Sequence, residues 1–259
     1  TSTDGTTWVA ASGTNGLTTN AGNTSTTKSR MVSKPSVTSW RSINISNIYQ
    51  NCVSMYPKIN THQMKNSEWG AVAYLTYSPY GRNGEELAVN QCSGYYTGAG
   101  KGKGTSTVYE SSYYAYSETD VTDESGNITK YAFKDNYAWN TDLGKLASTT
   151  GNIYGIYDMS GGAYEYTAAY SNNGHTNLTT YGSNLVSALE LRNKQVYSST
   201  VSDGSSARAA DYELSKDTYG DAVYEISTTS SGSGWCNDNA YYPYGSSPFF
   251  WRGGNYNNN

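Results

Sequence analysis

The stretch that most constrains this chain covers residues 151–166, Gly-Asn-Ile-Tyr-Gly-Ile-Tyr-Asp-Met-Ser-Gly-Gly-Ala-Tyr-Glu-Tyr. Ile153, Ile156 and Met159 supply apolar anchors, while Gly155 and the Gly161-Gly162 pair permit sharp turns and the close approach of other segments. The stretch reads as a buried corner. Glu165 stands between Tyr164 and Tyr166, and a carboxylate among aromatics requires backbone N–H groups, an arginine or a metal ion as its partner. A structural turn around a satisfied acid is the reading these residues favour on their own.

Helical periodicity is clearest over residues 42–56. Ile45, Ile48, Tyr49, Cys52, Val53 and Tyr56 recur at the spacing of one helix face, Ser42 or Asn44 would cap the start, and Pro57 stops it. A second helix is predicted over 66–77, with Asn66 as N-cap, Trp69, Val72, Ala73 and Leu75 facing inward, and Pro79 beyond its end. Residues 81–150 are expected as surface loops and hairpins, with a turn at 124–127 and a strand at 128–133. Further on, 170–181 reads as a polar loop, 185–192 as a short helix and 222–226 as a strand. The Ser/Gly-rich run 230–234 reads as a turn, and 248–251 as a buried strand.

Three blocks, taken in order, carry a resemblance. Residues 155–166 are similar to the signature Gly-x-x-Asp-Met-x-Gly-Asn-(Val/Ala)-Trp-Glu-Trp, 65–75 to a Leu-Pro-Thr-Glu-Ala-Glu-Trp-Glu helix, and 249–256 to an Arg-Gly-Gly-Ser-Trp/Tyr strand and turn. Together they resemble the formylglycine-generating-enzyme (sulfatase-modifying-factor) branch of the C-type lectin fold, over roughly residues 34–259. The resemblance implies an α+β, C-type-lectin-like domain with two helices around short antiparallel sheets and long loop insertions. It also implies that 151–166 passes beside 249–251 in the core, with structural roles for Trp69, Asp158, Glu165, Arg252, Gly253 and Gly254. Residues 1–33, rich in Thr and Ser, match nothing in that family and read as a linker, a stalk or extended strands. The family continues past its Arg-Gly-Gly turn to a closing strand. The expectation is therefore that this domain lacks its final strand here, which more chain or a strand-donating partner would supply.

The family's oxidases use two cysteines after that turn, with copper. Asn258 stands where the first would be, and Asn neither forms a thiolate nor binds Cu(I) as a soft ligand. The sister iron-dependent enzymes need a His-x-x-x-His-x-Glu set, which His62 and His175 cannot form. The chain is thus expected not to be an enzyme. The signature's Asn-Ala-Trp-Glu also resembles a calcium loop, and in Gly162-Ala163-Tyr164-Glu165 the Asn oxygen is lost, so a structural calcium near Glu165 is expected to be weak or absent and no cofactor is expected. Glu165 would then be held by backbone N–H groups or by Arg252.

Composition narrows the partners. Only 15% of the 259 residues are charged, against about 25% for an average domain, while Tyr and Gly number 27 each. A polar surface with little charge suits an extracellular, cell-surface or virion setting. The net charge of −4, with Lys and Arg scattered, argues against nucleic acid. No apolar run approaches the ~18 residues of a membrane span. Cys52, Cys92 and Cys236 leave open one disulfide with one free thiol, or three buried thiols. Asn23, Asn44, Asn127 and Asn177 stand in Asn-x-Ser/Thr sites.

Tyr, Ser, Gly and Asn are what binding surfaces use for adaptable contact. Variable proteins of diversity-generating retroelements, which share the C-type lectin fold, open their binding region with a similar Gly-Gly-x-(Tyr/Trp) turn. The expected ligand-binding residues are accordingly Asn255, Tyr256, Asn257, Asn258 and Asn259, extended by Tyr241, Tyr242 and Tyr244. The expected partner is a protein or glycan receptor. The alternative is a structural subunit of a filament, in which exposed tyrosines make self-assembly contacts.

Overall fold

The computed structural model describes residues 33, 35, 39–40, 43–92, 95, 97–100, 118–122, 128–132, 137–199, 232–233, 239–240, 243 and 245–256. Within these, helices and small sheets combine in a mixed α+β arrangement. The organising element is strand β5, Glu165–Ser171, flanked on one side by β6, Gln195–Tyr197, and on the other by β9, Phe249–Arg252. β6 runs parallel to β5 and β9 antiparallel, with Glu165 opposite Arg252 and Tyr166 opposite Trp251. The corner of residues 151–166 therefore feeds directly into the strand that pairs with 249–252.

Period-two alternation gives this sheet two apolar faces. Ala168, Tyr170 and Phe249 point to one side and pack with Ile45 and Tyr49 of α1, Ile45–Met55, and with Leu178 and Leu185 of α3, Asn177–Ser187. Phe250, Arg252 and Tyr197 point to the other side, towards the start of α2, Asn66–Tyr77. The sheet is thus sandwiched between helices. Burying a side chain such as Leu185 or Phe249 contributes about 2 kcal/mol.

Each helix boundary has a local cause. Asn44 caps α1, its Oδ1 accepting the Asn47 N–H at 2.9 Å. Pro57 ends the helix and opens a 3-10 turn, Pro57–Ile59, closed by Asn60 in the left-handed region. Ile45 and Tyr49 of α1 are buried, whereas Tyr56, expected on the inner face, follows the end of the helix and is exposed.

For α2 the N-cap is Lys65 and not Asn66. Glu68 reaches back to the Lys65 N–H at 2.9 Å, which frees the Asn66 side chain to turn into the core. Trp69 and Ala73 are buried as expected, but Leu75 lies outside at 59% exposure, because the inner face of α2 is narrow.

The region expected as a polar loop at 170–181 instead completes β5 and begins α3. That helix ends at Ser187, and residues Leu191–Asn193 form a separate 3-10 turn, so no single helix spans 185–192. Lys194 caps α3: its buried ammonium donates to the Leu185 carbonyl at 3.1 Å and the Val186 carbonyl at 2.8 Å. Burial lowers its pKa. α3 is also tied to α1 through Ser46, whose Oγ lies 3.0 Å from Ser183 Oγ and accepts the Asn184 N–H at 3.0 Å.

The link between α1 and α2 runs along β5. Gln63 Nε2 donates to the Tyr166 carbonyl at 2.5 Å and the Ala168 N–H donates to the Met64 carbonyl at 2.8 Å. Asn60 and Asn193 exchange reciprocal side-chain hydrogen bonds of 3.3 and 3.2 Å.

Small antiparallel pairs complete the described residues. β1, Ala99–Gly100, pairs with β4, Tyr137–Ala138, and β2, Glu118–Thr122, pairs with β3, Ile128–Ala132. β7, Gly232–Ser233, pairs with β8, Asn239–Ala240, so part of the expected turn at 230–234 is strand. The expected strand at 222–226, together with Asn23, Asn127 and Cys236, lies outside the described residues. Neither Cys52 nor Cys92 is in a disulfide. No helix among the described residues is long and apolar enough to cross a membrane.

Candidate functional site

The site is built where three backbone segments meet, at Asn90, 160–162 and 253–256. Asn90 forms a parallel bridge with Gly161, donating its N–H to the Ser160 carbonyl at 2.9 Å and accepting the Gly162 N–H at 2.7 Å. Gly161 in turn donates to the Gly253 carbonyl at 2.6 Å, and the Tyr256 N–H donates to the Gly162 carbonyl at 3.0 Å. Gly161 has φ +80°, and a Cβ there would overlap the Asn90 backbone, so this crossing of chains requires glycine. The Gly-Gly pair at 161–162 is what lets the turn after Arg252 dock.

Asp158 ties the junction from below. Its backbone is left-handed, with φ 63°, and its carboxylate accepts Asn90 Nδ2 at 2.8 Å and the Gly98 N–H at 3.0 Å. Burial pushes this carboxyl up to about 6, against the pull of the Asn90 and Gly98 donors. Met159 beside it is buried with Trp69 and Leu87. Ile153 and Ile156 are not buried: they are 36% and 46% exposed, because the chain turns outward between Ser148 and Tyr157 before it enters the core.

Arg252 is buried at the opposite edge. Its Nε and Nη2 both donate to Asn66 Oδ1, at 2.7 and 2.5 Å, and Asn66 Nδ2 donates to the Tyr197 hydroxyl at 2.8 Å. The guanidinium also lies over the rings of Phe250, at 5.4 Å, and Trp69, at 6.0 Å. Glu165 is the cross-strand partner of Arg252, and its carboxylate rests against the Cα of Gly253. No cluster of three or more His, Cys, Asp or Glu side chains that could hold a metal occurs among the described residues.

Above this base, aromatic rings gather. Tyr256 meets Tyr95 edge to face, with ring centroids 4.9 Å apart, and Tyr95 itself has φ 56° and a carbonyl that accepts both the N–H and the hydroxyl of Ser39 at 2.8 Å. Trp251 packs against Tyr164 at 5.4 Å and Tyr166 at 5.8 Å. Asn255 and Tyr256 are half-buried on the turn. The structure therefore brings Asn255 and Tyr256 together with Trp69, Asp158, Glu165, Arg252, Gly253 and Gly254 around one junction. Asn257, Asn258, Asn259, Tyr241, Tyr242 and Tyr244 lie outside the described residues.

Sequence reasoning missed Asn66, Asn90, Tyr95 and Trp251 as members of this site. Asn66 and Asn90 act through partners far away in the chain, so no local spacing marks them. Tyr95 sits in a Tyr-Tyr pair that local pattern could only flag as a cluster. A His–Glu contact also forms at the start of α2, where His62 Nε2 lies 3.3 Å from both Glu68 oxygens and Lys65 Nζ lies 3.2 Å from Glu68 Oε1. No family model, no curated protein and no solved structure matches this chain.

Proposed function

We propose that this protein is a non-catalytic recognition protein with a C-type-lectin-like domain, displayed in an extracellular, cell-surface or virion setting, that binds a protein or glycan receptor through the turn after Arg252. The observation that carries this reading is the mounting of Tyr256. Its backbone is bonded to Gly162, its ring is braced by Tyr95, and Asn255 stands next to it half-exposed. An aromatic ring held in place before binding loses little entropy on contact, and such rings dominate interface energetics. Aromatic and amide groups line this turn, and the reading assigns them to contact and not to acid–base work. The test is a screen of the full chain against glycan arrays and displayed cell-surface proteins. Any ligand found should bind Tyr256→Ala about thirtyfold more weakly, roughly 2 kcal/mol, with unfolding unchanged. Unchanged affinity in that variant would refute the assignment.

A filament subunit is the second reading. It is favoured by Ile59, Leu189 and Leu191, which are 74%, 94% and 71% exposed on loops joined by the Asn60–Asn193 pair. Concentration-dependent sedimentation that a Leu191→Ser change abolishes, with no ligand from either screen, would make it the better account.

A further inference from the structure

The C-terminal end of α2 is wound into a knot that fixes Arg82. Its N–H donates to the Thr76 carbonyl at 2.5 Å, and two residues on the Gly84 N–H donates to the Tyr77 carbonyl at 2.8 Å. The Arg82 side chain is only 8% exposed, and it extends across Gly151, where a Cβ would stand 2.5 Å from Nη1. Gly151 has φ +68°, a conformation that favours glycine, and the guanidinium lies across it.

The donors of this guanidinium are poorly matched by acceptors. Arginine carries five N–H donors in a rigid fork. Here Nη2 reaches Glu85 Oε2 at 3.3 Å, and Nε is buried with no acceptor. A desolvated guanidinium with one long contact is costly, and a carboxylate or phosphate that takes the Nε–Nη2 edge side-on, in place of Glu85, would relieve that cost. Glu85 is 56% exposed, so the edge it touches opens to the surface. Two residues before Arg82 stands Tyr80, and three after Gly151 stands Tyr154, at 90% and 89% exposure.

We infer that Arg82 is the anchor of an anion-binding site between the C-terminal turn of α2 and the loop 151–156, taking an oxyanion carried by a ligand. Glu85 occupies the edge in the free protein and yields it to the incoming group. The site is separate from the turn after Arg252, and its ligand is defined by the charged group alone, whether carboxylate or phosphate ester.

The test uses the full chain, labelled with 15N, titrated separately with sodium acetate and inorganic phosphate at constant ionic strength against chloride. The Arg82 Nε–H and Gly151 amide signals should shift saturably in the millimolar range with at least one oxyanion, and the arm that saturates first identifies the class. Glu85→Gln removes the internal competitor and leaves Arg82 untouched, so it should tighten binding threefold or more. Arg82→Gln should abolish the shifts. Shifts that merely follow ionic strength, or an affinity unchanged in Glu85→Gln, would overturn the inference.

Discussion

Arg252 places two guanidinium nitrogens on the single carboxamide oxygen of Asn66, joining the first turn of α2 to strand β9 inside the core. Both residues are fully buried, so no bulk water takes over this pairing if it is lost. Asn66→Ala should therefore leave a buried cation short of its acceptor and cost roughly 3 kcal/mol. Arg252→Lys should cost a similar amount, because an ammonium cannot make the fork. Urea unfolding of each variant measures this, and a loss below about 0.5 kcal/mol in both would contradict it.

The cap on α3 gives a second expectation. Lys194→Ala leaves the Leu185 and Val186 carbonyls without their donor, at a cost of about 1–2 kcal/mol. Hydrogen exchange should quicken in the last turn of α3 before anywhere else. Uniform acceleration across the molecule would argue against a local cap.

The two described thiols should be inert in the folded protein. Burial pushes the Cys52 thiol up to about 12, which leaves about one part in ten thousand as thiolate at pH 8, and Cys92 is buried. In a Cys236→Ser background, modification by a disulfide reagent should track the rate of unfolding. Rapid labelling of either thiol under native conditions would be inconsistent with their burial.

Two carboxyl groups give stability opposite slopes with pH. Asp158, held at about 6 in the fold against about 3.9 when unfolded, binds its proton more tightly in the native state. Its contribution is therefore full below about 3.9 and is lost as pH rises through about 6, a change of roughly 3 kcal/mol. For Glu68 burial acts upward, but the Lys65 backbone N–H, the Lys65 ammonium and His62 outweigh it and hold the carboxyl below its usual range. Its contribution is present above about 4.3 and lost as pH falls through its folded value. Unfolding free energy should peak near pH 4, between the rise from Glu68 and the fall from Asp158, and Asp158→Asn should flatten the limb above the peak. A wild-type limb that is already flat would remove Asp158 from this role.

The glycine junction gives the sharpest steric expectation. Gly161→Ala meets the Asn90 backbone at a left-handed position and should destabilise by 2 kcal/mol or more. The same change at Gly84, also left-handed but with open space around it, should cost only the conformational part, about 1 kcal/mol. Equal losses at the two sites would mean that the crossing at Asn90 is not tight.

These positions also show what was legible in the chain. α1 was readable because Ile45 and Tyr49 repeat at helical spacing and Asn44 is a natural cap, and the strand Phe249–Arg252 because the apolar run 248–251 suits a buried strand. That 151–166 passes beside 249–251 was expected from the order of the motif blocks and not from any local pattern, whereas the register that sets Glu165 opposite Arg252 appears only in the fold. Ile153 and Ile156 misled, since apolar character says nothing about which side of a turn faces the core. α3 went unread because Asn, Thr, Tyr, Gly and Ser fill it, and packing of Leu178 and Leu185 overrides their weak helix preference. Within the site, Asn255 and Tyr256 stood out through the Gly-Gly turn, whereas Asn90 and Tyr95 could be found only once the chain was folded.

The Asn66–Arg252 link spans 186 residues of sequence. A ribosome adding about 5–20 residues per second needs roughly 10–40 seconds to cover that distance. Throughout that interval α2 lacks the arginine that completes its anchorage, and from its own later emergence β5 lacks its antiparallel neighbour. The nascent chain must be shielded or held loosely collapsed until Phe249–Arg252 leaves the tunnel, and assembly of the central sheet is timed by its latest strand.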